Sequence, residues 1–198
     1  MDIVLAWYAE KLLTRTARAL EKNFFTASCF ADRGAAAEAI SALVRPAMAV
    51  GFGGSVTVRE LGITERLDES GAELLDHWRE GISPAEIQEL RIRHLTCDLF
   101  ISGANAVTEN GEIVNIDGIG NRVNSMTFGP KKVIIVAGIN KIVPDVQAGL
   151  ERIRRIAAPM NARRLNLKVP CAETGLCHDC SSEARICRAV SILQRRPA

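Results

Sequence analysis

The sequence predicts an α/β protein built on a mostly parallel sheet flanked by helices. Two patterns carry this: short apolar runs that each end in glycine, and helix-periodic segments between them. The runs are Ala47-Met48-Ala49-Val50, Leu99-Phe100-Ile101-Ser102 and Val133-Ile134-Ile135-Val136. They lead into Gly51-Phe52-Gly53-Gly54, Gly103-Ala104-Asn105 and Gly138-Ile139-Asn140. Continuous apolar strands need cover on both faces, which helices on a parallel sheet provide. A third observation, four cysteines within seventeen residues near the C-terminus, sets residues 168–198 apart as a metal-binding appendage to an α/β domain over 1–167.

Taken in order, Leu5, Tyr8, Leu12, Thr16, Leu20 and Phe24 recur at steps of three and four, the stripe of an amphipathic helix. Residues 23–30 read as a short strand or turn. Asp32 can cap a helix over 34–44, ended by Pro46. A helix is expected over 56–61 after the Gly53-Gly54-Ser55 turn. Ser83, Pro84 and Glu86 stand where an N-cap, a first-turn proline and a capping-box acid belong, so a helix should run from there to about Thr96. Residues 106–117 read as a hairpin turning at Glu109-Asn110-Gly111. Val146, Leu150, Ile153 and Ala157 mark a last helix, which Pro159 should stop.

Composition narrows the function. Hydrophobic residues make up 47% and charged residues 24%, which fits a folded domain with a sizeable core. A net charge of +2 and only 5% aromatics argue against nucleic acid as a partner. No apolar run approaches the roughly 20 residues of a membrane span, and the N-terminal segment carries charges throughout, unlike a secretory leader. A cytoplasmic protein is expected, and a homodimer on base rates.

Open α/β sheets bind ligands beyond the carboxyl ends of their strands, where glycine lets backbone N–H groups approach an anion. Gly53, Gly54 and Ser55 are therefore candidate contacts for a small anionic metabolite, with Asn140 and Lys141 after the third strand. The pattern is neither a dinucleotide fingerprint nor a P-loop, since Val56 replaces the glycine the first needs and no Gly-Lys-Ser/Thr follows. The tight-turn explanation competes equally at any one of these loops. Asp117, Asn121 and Arg122 lie in a polar, turn-rich stretch, where Arg122 could act as a fork for carboxylate or phosphate. Such a stretch also satisfies its own backbone. Glu109 and Glu112 are candidate base or nucleophile, although carboxylates at turns are usually only solvated.

Cys171, Cys177, Cys180 and Cys187 follow a C-x5-C-x2-C-x6-C spacing. In a reducing compartment such a cluster points to metal or redox chemistry before disulfides. Four thiolates suit a [4Fe–4S] cluster or, as the alternative, Zn²⁺. The single tight Cys-x2-Cys pair favours the cluster, because zinc folds generally present two. From Arg163 onward seven Lys/Arg face three acids, a local +4 that complements an anionic cluster. Cys29 and Cys97 are expected as small core residues.

At GFGGSVTVRELG (51–62), SGANAVTENGEIVNIDGIGNRVNSMTFGP (102–130), KKVIIVAGINKIV (131–143), NARRLN (161–166) and the cysteine cluster, the chain resembles the lactate-utilization (LUD) domain family. The resemblance implies a Rossmann-like fold similar to ribose-5-phosphate isomerase and the CoA transferases. It also implies a place among bacterial iron–sulfur systems that oxidise lactate, with an iron–sulfur or flavin protein as redox partner. By the same resemblance the pocket would involve Gly53, Gly54, Ser55, Asn105, Thr108, Glu109 and residues 117–122. Two other classes stay open: a non-redox isomerase or CoA-transferase-like enzyme with structural zinc, and a metal-dependent binding or regulatory module.

Overall fold

The computed structural model describes residues 3–197. Helix α1 (Ile3–Lys22) and helix α2 (Arg33–Ser41) precede strand β1 (Ala49–Phe52), short helices α3 (Val56–Arg59) and α4 (Ile63–Asp68), and strand β2 (Glu73–Leu75). Helix α5 (Pro84–Arg93) leads to β3 (Leu99–Gly103), β4 (Ala106–Thr108) and β5 (Ile113–Asp117). Helix α6 (Asn121–Thr127), β6 (Lys132–Val136) and β7 (Ile142–Val143) follow. The chain closes with α7 (Val146–Arg152), α8 (Ala158–Arg164), α9 (Pro170–Thr174) and β8 (Ala189–Leu193).

These elements form two compact units. One holds Ser28–Gly103 and Asn124–Gly138; the other holds the chain up to Ala27, Ala104–Val123 and Ile139 onward. The cysteine-bearing segment, residues 168–197, lies within the second of these units.

The first unit contains a fully parallel sheet in the order β2-β1-β3-β6. The three glycine-ended runs are its adjacent strands β1, β3 and β6, as the sequence predicts; β2 is the added edge. Val50, Leu99, Phe100 and Ile101 are completely buried, and Val50, Leu99 and Ile101 pack with Ile40 of α2, Val58 of α3 and Ile63 and Leu67 of α4. Burying side chains of this size stabilises by about 1.5–3 kcal/mol each. Asp32 caps α2 by accepting from Ala35 N, and Ser83 and Glu86 complete a reciprocal capping box on α5.

The second unit carries a mixed sheet, β7-β4-β5-β8. β4 and β5 form the expected hairpin, while β4 pairs parallel with β7 and β5 pairs antiparallel with β8 along five residues. The expectation of one mostly parallel sheet thus holds for the first unit alone. Pro159 does not end its helix. A π-helical stretch, Ile153–Ala157, follows α7, and α8 restarts with Pro159 in its first turn, where no N–H is required. On α1 only Leu12 and Thr16 are buried; Leu5 and Tyr8 of the same stripe are at least half exposed. Residues 23–30 contain no strand. Among the described residues, no helix is long and apolar enough to cross a membrane.

Candidate functional site

At the carboxyl edge of the parallel sheet, the glycines make room for neighbouring side chains. A Cβ on Gly53 would collide with Ser102 Oγ, one on Gly103 with Ser55 Oγ, and one on Gly54 would stand 3.0 Å from the Trp78 indole. Ser55 Oγ accepts from Val58 N at 3.3 Å and caps α3. Trp78 in turn stacks beneath the Arg59 guanidinium, 5.2 Å from the ring centroid, and Arg59 pairs with Asp76. Ser102 is fully buried, and among the described residues its hydroxyl has no partner. Close packing therefore accounts for glycine at 53, 54 and 103.

Beneath Trp78 lies a second buried group. The His94 ring stacks edge-on against His77 at 5.4 Å, and His94 Nε2 lies 2.8 Å from Leu75 O. Both histidines are buried, and among the described residues the Nδ1 atom of each has no partner. Desolvation, then the neighbouring His94 and Arg91 charges, lowers the His77 pKa to about 4; desolvation lowers that of His94 as well. Cys97 is buried beside them, whereas Cys29 is exposed, so only one of the two lone cysteines is a core residue.

In the other unit the structure brings Asn105, Asp117 and Arg122 together around Asn115, which the sequence reading passed over. Arg122 donates to Asn115 Oδ1 at 2.9 Å, Asn105 Oδ1 at 3.0 Å and Ile116 O at 2.8 Å. Burial lowers its pKa and the charge of Asp117 opposes that shift. Asp117 accepts from the backbone N–H groups of Arg122 and Val123, so it satisfies the first turn of α6. Asn121 opens that helix. An anion reaching Arg122 must compete with these acceptors. Arg152, another residue without a local signal, ties the Asn105 and Asn140 carbonyls together at 2.6 and 3.1 Å. Lys141 lies in the short 3-10 turn beside Asn140.

The hairpin turn orders the two candidate carboxylates differently. Glu109 Oε2 accepts from Arg15 Nε of α1 at 2.6 Å, and it borders an open cavity. Glu112 Oε2 accepts from the buried Thr108 hydroxyl at 2.9 Å, so this acid closes the turn.

The four clustered cysteines are free thiols: Cys171 lies in α9, and Cys177, Cys180 and Cys187 lie on the loop between α9 and β8. Burial raises the pKa of Cys171 and Cys187, and the neighbouring cysteines add to both shifts. Arg185 spans this loop: it donates to Cys180 O at 2.6 Å, Cys187 O at 2.9 Å and Asp179 Oδ1 at 2.8 Å. His178 Nε2 lies 2.9 Å from the Thr174 hydroxyl. Among the described residues, no three His, Cys, Asp or Glu side chains stand close enough together to hold a metal ion.

These features define an α/β protein with a parallel sheet and a cysteine-bearing C-terminal loop. A family model, the LUD domain, matches residues 13–197, and the chain belongs to that family. No curated protein matches the sequence. Among solved structures, the chain is similar to ribose 5-phosphate isomerase from Plasmodium falciparum at 18% identity and a TM-score of 0.37, covering 57% of this chain and 52% of that one. It is also similar to a D-ribose-5-phosphate isomerase in complex with phospho-erythronic acid, at 17% identity, a TM-score of 0.37 and coverage of 58% and 54%. The chain thus spans about half the length of the solved structures it matches.

Proposed function

We propose that this LUD-domain protein serves the utilisation of lactate or a similar small organic acid as a redox-associated protein, with Cys171, Cys177, Cys180 and Cys187 as ligands of a [4Fe–4S] cluster. One observation carries the reading: Cys177, Cys180 and Cys187 lie on the loop that leaves the helix holding Cys171, and a single guanidinium donates to the Cys180 and Cys187 carbonyls. Free thiols suit a group that ionises them on binding. When bound, the cluster would supply one-electron transfer to an iron–sulfur or flavin partner. Arg185 would hold the loop backbone and place positive charge beside an anionic centre.

Membership of the family supports the link to lactate utilisation. The small anionic metabolite would contact Asn105, Thr108, Asp117, Asn121, Arg122, Asn140 or Lys141, which all belong to one compact unit. A second reading rests on Glu109: a carboxylate fixed by Arg15 at the edge of a cavity suits a non-redox enzyme that uses it as base or nucleophile, with Zn²⁺ on the cysteines.

Anaerobic purification followed by a visible spectrum and iron, zinc and sulfide analysis tests both. A brown protein with near-equal iron and sulfide is expected, and Cys180→Ser should lose it. A colourless protein with stoichiometric zinc overturns the cluster and favours the second reading.

A further inference from the structure

Helix α1 carries Lys11, Arg15, Arg18 and Lys22 at steps of four, three and four, a single cationic stripe. Arg15, Arg18 and Lys22 border a cavity of about 420 Å³, whose far side is Glu109 and Asn110 of the hairpin turn. A second cavity of about 590 Å³ shares Asn23 and Asn110 with the first and adds Arg195 from the C-terminal segment. The two form one groove within a single compact unit.

Its floor is fixed. Asn23 Nδ2 donates to Asn110 O and Gly111 O, both at 2.9 Å, and Arg196 N donates to Asn23 O at 2.9 Å. Gly111 has φ +81°, and a Cβ there would collide with the Ala19 backbone, so the turn sits directly on the helix. Arg195 is held over the Phe24 ring at 5.8 Å.

The charges of the groove do not balance: Arg15, Arg18, Lys22 and Arg195 line it against Glu109, which pairs with Arg15, and Glu112, which accepts from the Thr108 hydroxyl. Among the described residues, Arg18 and Lys22 have no carboxylate within 4 Å. Like charges three or four residues apart weaken a helix. The helix dipole favours a cation in the last turn and so accounts for Lys22, but not for Arg15 or for Arg195 arriving from another segment. Guanidinium groups present planar forks suited to phosphate, and each cavity is of small-molecule size.

We infer that this groove binds a small, multiply charged phosphate-bearing molecule, contacted by Arg18, Lys22 and Arg195 and read by the Asn110 side chain. The site shares no residue with the cysteine loop or with the glycine-ended strands. Glu109 and Arg15 form its wall.

Titration calorimetry of the purified full chain with inorganic pyrophosphate, at near-physiological salt, tests the assignment. Saturable binding that weakens as salt rises is expected. The double variant Arg18→Ala/Lys22→Ala should lose roughly tenfold or more in affinity, as befits two charge-assisted contacts. Both side chains are exposed, so its circular dichroism and Tm should match the parent, and its metal content should be unchanged. Absence of binding, equal binding by the double variant, or sulfate binding as well as pyrophosphate would each overturn the inference. Displacement of pyrophosphate by a short single-stranded RNA at lower concentration would overturn the small-ligand assignment in favour of nucleic acid.

Discussion

Asn105 and Asn115 each hold the other's strand. Asn115 Oδ1 accepts from Asn105 N at 3.0 Å, and Asn105 Oδ1 accepts from Ile116 N at 2.9 Å. Two side-chain amides thus continue the hairpin ladder past the point where β4 begins, and Arg122 bonds both of their oxygens.

Arg122 is expected to matter first for stability. Arg122→Ala removes a buried charge-assisted donor from three acceptors and should cost about 2–4 kcal/mol in urea unfolding. Arg122→Lys should recover only part of that, because an ammonium cannot reproduce the planar fork. Unfolding midpoints within error of the parent would remove Arg122 from this role.

The paired histidines set an acid limit. His77 has a folded-state pKa of about 4, below its ordinary value of 6.5, so the unfolded chain binds the extra proton first. The stability from keeping it neutral is complete above about pH 6.5 and is lost as pH falls toward 4. At about 1.4 kcal/mol per pH unit, the loss approaches about 3 kcal/mol. His94 acts in the same direction. Urea unfolding between these pH values should show a slope that flattens in His77→Phe, and an unchanged slope would exclude the histidine.

Gly111→Ala tests the seat of the hairpin turn on α1. The left-handed backbone and the contact with Ala19 should together cost more than about 2 kcal/mol. Gly175→Ala, also at positive φ (+73°) but with nothing within 4 Å of its added Cβ, should cost less. Equal losses in thermal melts would mean that only backbone conformation matters at Gly111.

Arg185→Ala should lower the metal-to-protein ratio, because the Cys180 and Cys187 carbonyls then lose their common donor. Elemental analysis after anaerobic reconstitution reads this directly. A full complement of metal in the variant would show that the loop positions its cysteines without the guanidinium.

The parallel strands were legible because each is a continuous apolar run ending in glycine, a signal that burial on both faces imposes. β2 was not, since three residues beginning with an exposed glutamate carry no periodicity. β8 alternates in exposure, and its place is fixed by β5, more than seventy residues earlier in the chain. The hairpin turn at Glu109-Asn110-Gly111 was a local signal, and strands β4 and β5 pair around it. The partners that give Glu109, Asn105 and the cysteine loop their setting are Arg15, Arg152 and Arg185. The first two act across long sequence separations that no local pattern encodes. The cationic spacing on α1 was present in the sequence all along, but its meaning depends on the turn packed against it.

Strand β8 begins two residues after Cys187 and covers β5 along its whole length. A truncation meant only to strip away the cysteines would therefore bare the backbone donors and acceptors of β5, a template on which another chain can add its own strand. Aggregation of such a shortened protein would report an uncovered β5, whatever became of the metal.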